Sequence, residues 1–251
     1  MAGEEWVARF RKGPGGPLGP EVVVTDSHIR GGDYSGLRLN RFYAGNCRFT
    51  DGNFTNMRVR DVSWGGGVTQ TVFEGCVVDG SRLDMQLGFV RFENCSFRDV
   101  TITHFCPTAM DLIDCVFTGS ITEAVLNGKI VWPPRRERLG RTRNEYRGND
   151  FSQARLEDVS FRYGIDLRLQ KLPAGPDYLY VEDGAAGIQR ARRVIRDWPD
   201  AEDRRQGEIA LGLEQDLIDD GQEQLFMQRT TYVHPPALPW QQFCAAFQGD
   251  Q

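Results

Sequence analysis

Bulky apolar residues recur every five positions along the middle of this chain, and that period constrains the fold more than any other feature. They fall at Phe49, Phe54, Val59 and Trp64, at Phe73, Val78 and Leu83, at Phe92, Phe97 and Ile102, at Leu112 and Phe117, and at Phe151, Leu156 and Phe161. Two residues before most of them stands a second small or apolar side chain, as at Cys47, Met57, Val62, Cys76, Val90, Cys95, Val100, Met110, Cys115, Ala154 and Val159. A strand alternates with period 2 and a helix with period 3.6. A sustained five with paired inward positions requires a chain that turns a corner every five residues.

The interruptions are regular too. Nine residues separate Trp64 from Phe73 and Leu83 from Phe92, as if one unit of five were shortened to four, which predicts a coil of nineteen. Stacking at that interval predicts the columns Phe54–Phe73–Phe92–Leu112, Val59–Val78–Phe97–Phe117 and Trp64–Leu83–Ile102, with Phe49, Val68, Leu87 and Pro107 on a fourth face. Met57, Cys76, Cys95 and Cys115 form one more column. The run Gly65-Gly66-Gly67 falls at a shortened unit and reads as a corner, not a phosphate loop. Coils of a parallel solenoid lie ~4.8 Å apart, so each column becomes a ladder of touching side chains.

Units such as Asn94-Cys95-Ser96-Phe97-Arg98, Asn149-Asp150-Phe151-Ser152-Gln153, Ala154-Arg155-Leu156-Glu157-Asp158 and Val159-Ser160-Phe161-Arg162-Tyr163 resemble the pentapeptide-repeat family, whose loose pattern is a small residue, Asp or Asn, a central Leu or Phe, and two variable residues. The resemblance covers roughly half the chain, from about Leu37 to Leu167. It implies a mainly β fold, a right-handed quadrilateral parallel β-helix, here followed by an α-helical appendage. The best-known members of that family bind type II topoisomerases as mimics of DNA and protect gyrase from inhibitors such as fluoroquinolones, which makes a topoisomerase a candidate partner.

The pattern divides the chain into an N-terminal arm and cap (1–33), a repeat body (34–127), a basic inserted loop (128–148), a final coil (149–173), an acidic helical region (174–228) and an extended tail (229–251). Trp6, Val7 and Phe10 are expected to cover one solenoid end, and Glu21 to Thr25 reads as a strand. The inserted run carries seven basic residues against two acidic ones. Ile188, Ala191, Ile195 and Trp198 share one face of a helix that Pro199 ends. Asp200 is placed to cap a second helix running through Ile209, Leu213 and Leu217. The appendage is too short for a large core of its own, so its apolar face is expected to pack on the solenoid end or against a second copy, forming a homodimer through the helices. Pro235, Pro236 and Pro239 make the tail an extended strap.

Thirty basic and thirty-five acidic residues leave a net charge of −5, which argues against direct nucleic-acid binding by the molecule as a whole. No apolar stretch has the ~18 residues of a membrane span, and an N-terminus without an apolar signal core and the lack of any CxxC pair among six cysteines predict a cytoplasmic chain. There is no phosphate-binding glycine loop, zinc spacing or Ser-His-Asp signature, and no cofactor is implied. Candidate partner-binding residues are Arg135, Arg136, Arg138, Arg141 and Arg143 with Trp132, the alternative being a solvated loop docked on the body. His104 and Cys106 stand close enough in register for a thiolate–imidazole pair, although a structural role is the simpler reading. A non-catalytic protein-binding scaffold is therefore expected, with topoisomerase protection as the narrower version and an enzyme or small-ligand site near the inserted loop as the remaining one.

Overall fold

A computed structural model describes residues 20–131, 137, 139–232 and 237–248. Its body is a parallel β-solenoid of about five turns. One seven-stranded sheet takes β1 (Glu21–Thr25), β3 (Arg38–Gly45), β5 (Arg58–Gly66), β7 (Arg82–Met85), β9 (Ser96–Thr103), β11 (Val116–Asn127) and β13 (Asp150–Arg162) in sequence order. A six-stranded sheet takes β2 (His28–Arg30), β4 (Arg48–Thr50), β6 (Thr71–Glu74), β8 (Phe89–Glu93), β10 (Ala109–Ile113) and β12 (Tyr146–Arg147). Glu21 to Thr25 is a strand, as expected. The proposed cover Trp6, Val7 and Phe10 lies outside the described residues.

Corners close because particular residues accept left-handed backbone. Gly31, Asp51, Gly75, Asn94, Asp114 and Gly148 stack at one corner with φ between +50° and +67°. That region penalises a β-carbon except where Asn or Asp finds local hydrogen bonds. Each corner aims the next two alternate side chains inward, which is how a period of five becomes a filled square.

The interior columns are real, but their first coil is offset by one unit from the expectation. Phe73, Phe92 and Leu112 do stack, as do Val78, Phe97 and Phe117, and Leu83 and Ile102. Above Phe73, however, lies Phe49, with ring centroids 4.8 Å apart, while Phe54 leads the column of Val78 and Val59 leads that of Leu83. Met57 likewise stands over Ser81 rather than Cys76. The coil from Arg48 to Val72 spans twenty-four residues instead of nineteen, because residues 67–70 leave the wall as a loop between β5 and β6. Val68 is therefore 56% exposed instead of inward. Asn46 Oδ1 holds that loop by accepting the Val68 and Thr69 amides at 2.8 and 2.9 Å. A β-carbon on Gly67, at φ +86°, would lie 2.3 Å from the same oxygen, so the glycine run ends strand β5 and opens an outward loop at Gly67 instead of making a shortened corner.

Cys76, Cys95 and Cys115 form a buried ladder whose thiols donate to carbonyls of Phe49, Phe73 and Ile113. The adjoining Cys115 thiol and burial push Cys95 up to about 12, so these thiols behave as small apolar fillers. In the next coil Asn149 takes the same position and completes it with stronger partners, accepting from Cys115 N at 3.1 Å and donating to Leu112 O at 2.7 Å.

Beyond the last coil come β14 (Tyr178–Val181), helix α1 (Gly184–Arg196), helix α2 (Ala201–Asp219), β15 (Leu225–Gln228) and helix α3 (Trp240–Gln248). Asp183 caps α1, and Asp200 caps α2 by accepting from Glu202 N and Asp203 N. Three expectations need correction. The appendage does have its own core, in which Ile188, Ala191, Ile195 and Trp198 meet Leu211, Leu225, Phe243 and Phe247. On α2 the buried face is Gly207, Ala210, Leu211 and Glu214, whereas Ile209 and Leu213 are about half exposed. The tail is not wholly extended, since Pro239 sits just ahead of α3, where a proline lacks nothing the helix needs, and its carbonyl accepts from Phe243 N at 2.9 Å.

Candidate functional site

The inserted run folds back on the solenoid wall. Lys129 and Arg143 form an antiparallel bridge, with Ile130 N donating to Thr142 O at 2.9 Å and Asn144 N to Gly128 O at 3.0 Å. Ile130 is buried with Phe89 and Ala109, and Leu139 packs against them, so an apolar plug seals this insertion to the outside of the six-stranded sheet. That explains why every residue of β10, including the outward-facing ones, is buried.

At the centre of the contact lies Asp111, which the sequence reading passed over because its position in the repeat is an outward one. Its carboxylate is 2% exposed and receives both terminal nitrogens of Arg141 at 2.6 Å. It also accepts from Gln70 Nε2 at 2.9 Å and from Glu145 N at 2.8 Å, with Arg91 at 3.5 Å. A buried carboxylate is tolerable only with such complete pairing. Around it Arg91 bridges Glu93 and Glu145, and hydrogen bonding from Arg147, ahead of that from Arg91, holds the Glu145 carboxyl below its usual range.

Arg143 points to the same body, donating to Gly164 O at 2.5 Å. Of the residues singled out from the sequence, Arg141 and Arg143 are thus engaged with the chain itself. Trp132, Arg135, Arg136 and Arg138 lie outside the described residues. His104 and Cys106 meet different atoms of a shared neighbour: the imidazole sits between Asp84 Oδ1 at 3.0 Å and Glu123 Oε2 at 2.8 Å, while the thiol donates to Glu123 O at 3.5 Å. The cluster ties three successive coils at one corner.

A second candidate lies where α2 meets the last coil. Asp158, Ser160 and Arg162 of β13 face Leu213, Glu214 and Asp216 across a cleft of about 240 Å³. Glu214 is buried there with its carboxylate accepting from the Tyr232 hydroxyl. Burial pushes its carboxyl up to about 7 despite that bond and the nearby Arg162. The cleft offers a carboxyl raised towards neutrality and a phenol beside charged walls, an arrangement that can hold a small polar ligand.

Among the described residues no group of three or more His, Cys, Asp or Glu side chains could hold a metal ion, and no helix is long and apolar enough to cross a membrane. No protein-family model matches the chain, and no curated protein matches it.

Proposed function

We propose that this chain is a non-catalytic binding rod of the pentapeptide-repeat type, working in the cytoplasm through its outer faces. The observation that carries this reading is the filled interior: Phe49, Phe73 and Phe92 stack with centroids about 5 Å apart, and Phe97, Phe117 and Phe151 continue beside them at 4.7 Å. Such a lumen leaves no space for a substrate, while the wall holds outward side chains in a rigid array with a fixed coil-to-coil interval. The docked Arg141 and Arg143 shift attention from the inserted loop to the walls.

The test is affinity capture from native extract with the intact chain and with variants that reverse charges on one wall at a time. A partner lost with one wall and kept with the others supports the reading; substrate turnover, or capture indifferent to every wall, overturns it. A type II topoisomerase as that partner rests on the family resemblance. The exposed Arg38, Arg58 and Arg82 on one wall weigh against a uniformly phosphate-like surface. A gyrase supercoiling assay with and without a fluoroquinolone separates this narrower version, which fails if micromolar protein changes neither.

A further inference from the structure

The buried stripe of α2 ends in a residue that packing does not call for. Gly207, Ala210, Leu211 and Glu214 fall at the spacing of one helix face, and the first three are small or apolar. Glu214 is 6% exposed, so its carboxyl gives up water at a position that an apolar side chain would fill without that cost. Its Oε1 accepts from the Tyr232 hydroxyl, a bond that a glutamine would make equally well. Among the described residues Oε2 has no hydrogen-bond or ion-pair partner. It is not sealed among packed side chains either, and meets the cleft between α2 and β13.

The surroundings of that oxygen are rigid and negative. Trp240 stacks on Tyr232 at 5.9 Å between centroids and Phe243 leans on it at 6.0 Å, which fixes the phenol against Glu214. Leu213 and Leu217 give the cleft an apolar side. Asp158 of β13, Asp216 of α2 and Asp220 at its C-terminus line the rim in solvent, and among the described residues none of the three is in an ion pair. Arg162 is the one cation of the lining among the described residues, and its Nε is turned to Ser160 Oγ at 2.9 Å. Four carboxylates minus one guanidinium leave −3 when all are ionised. At about 240 Å³ the cleft is smaller than the ~300 Å³ at which pockets for drug-sized ligands begin, so its occupant is small.

We propose that this cleft binds a small aliphatic amine in its ammonium form, the cation seated on Glu214 Oε2 and the alkyl chain laid on Leu213 and Leu217. The site lies outside the filled lumen and does not depend on the binding-rod reading above. An ammonium carries three donors and no acceptor, which suits an unfilled carboxylate oxygen inside a negative rim. An anionic ligand would have Arg162 alone to set against four carboxyls. A bare metal ion lacks a ligand set, since among the described residues no group of three or more His, Cys, Asp or Glu side chains could hold one. Burial raises the empty site's Glu214 carboxyl to about 7, so seating a cation there expels a proton. Affinity therefore rises about tenfold per pH unit up to about 7 and levels off above it, while the amine keeps its charge to pH ~10. The other groups facing Glu214 are Asp158, Asp216, Asp220, Arg162 and Tyr232, with Cys244 of α3 behind the phenol. Burial pushes the Tyr232 phenol up, so it stays a neutral donor throughout that range.

Calorimetric titration of the full chain with n-butylamine at pH 6 and pH 8 tests this. The expected result is saturable binding at pH 8, about tenfold weaker binding at pH 6, and proton release at pH 6 seen as a heat that changes with the buffer. The neutral n-butanol and the anionic butyrate should each bind at least about tenfold more weakly than the amine. Glu214→Gln should weaken amine binding at pH 8 by at least about tenfold and remove the difference between the two pH values, with circular dichroism confirming that it keeps its strand and helix content. No saturable binding by about 10 mM amine at pH 8 overturns the proposal, as does equal affinity at pH 6 and pH 8. Butanol binding as tightly as the amine marks a merely apolar slot, and butyrate binding more tightly marks an anion site on Arg162; either overturns it. A folded Glu214→Gln variant that binds like the unaltered chain does so too. The pH and analogue comparisons use the unaltered chain, so they decide the matter even if the variant fails to fold.

Discussion

At the scale of single residues, Asp111 and Glu214 show how one burial cost is met in opposite ways. Asp111 stays paired with Arg141 and receives two further hydrogen bonds, so removing it leaves a guanidinium and an amide without their acceptor. Asp111→Ala should lower unfolding free energy by about 3–5 kcal/mol in urea titrations, while Asp111→Leu combined with Arg141→Met should cost clearly less than the single loss. Among the described residues Glu214 makes no ion pair, and burial raises its carboxyl instead. Its folded pKa of about 7 lies above the ordinary 4.5, so the native state binds a proton more tightly than the unfolded chain. Stability from this group is complete below pH 4.5, declines as pH rises towards 7, and is gone above it, a span of about 3 kcal/mol. Glu214→Gln keeps the Tyr232 contact and removes the slope; denaturation at pH 4 and pH 8 should show near-equal stability at the first and a more stable variant at the second. Neither role was legible beforehand. An outward repeat position and an acidic residue in an acidic helix look ordinary until an insertion or a tail covers them.

At the scale of elements, the far end of the solenoid is closed by glutamines. Gln228 accepts from Val159 N at 2.7 Å and donates to Val159 O at 2.6 Å, Gln222 does the same for Ile165 at 3.0 and 2.8 Å, and Gln224 accepts from Leu167 N at 3.0 Å. A side-chain amide imitates the peptide group that a further coil would have supplied. Phe226 covers the apolar opening, edge-on to Phe161 and stacked on Tyr178. Gln228→Leu should cost about 1–3 kcal/mol and raise amide exchange at Val159 more than at Val100, in the middle of the wall. The elements were legible to different degrees for physical reasons. Solenoid columns follow from a strict period, and they went wrong only where a gap of nine fits either a shortened corner or a loop of extra residues at Gly67 to Gln70. The face of α2 was misjudged because Ile209 and Leu213 suggest a buried stripe, while Gly207 and Ala210, with little side chain, are what allow Ile195 and Trp198 to approach. Helix α3 was missed because prolines were read as excluding the helix that one of them introduces.

For the whole molecule, the far end of the solenoid is closed by a layer that cannot extend it. The far end terminates in an antiparallel β14–β15 pair and a helical layer, which halts parallel strand addition. A chain cut after Pro173 would present the bare edge of β13 with Phe161 and Ile165 uncovered. It should form sedimenting aggregates at concentrations where the full chain remains monodisperse by light scattering.

Because Arg38, Arg58 and Arg82 keep step from coil to coil, the wall also works as a graduated ruler. Adding or deleting one winding of about twenty residues would move α2 relative to the arginines by one graduation of ~4.8 Å while leaving every remaining ladder intact. Reach along this protein is thus adjustable in discrete notches, and any contact that needs both of its ends at once counts windings.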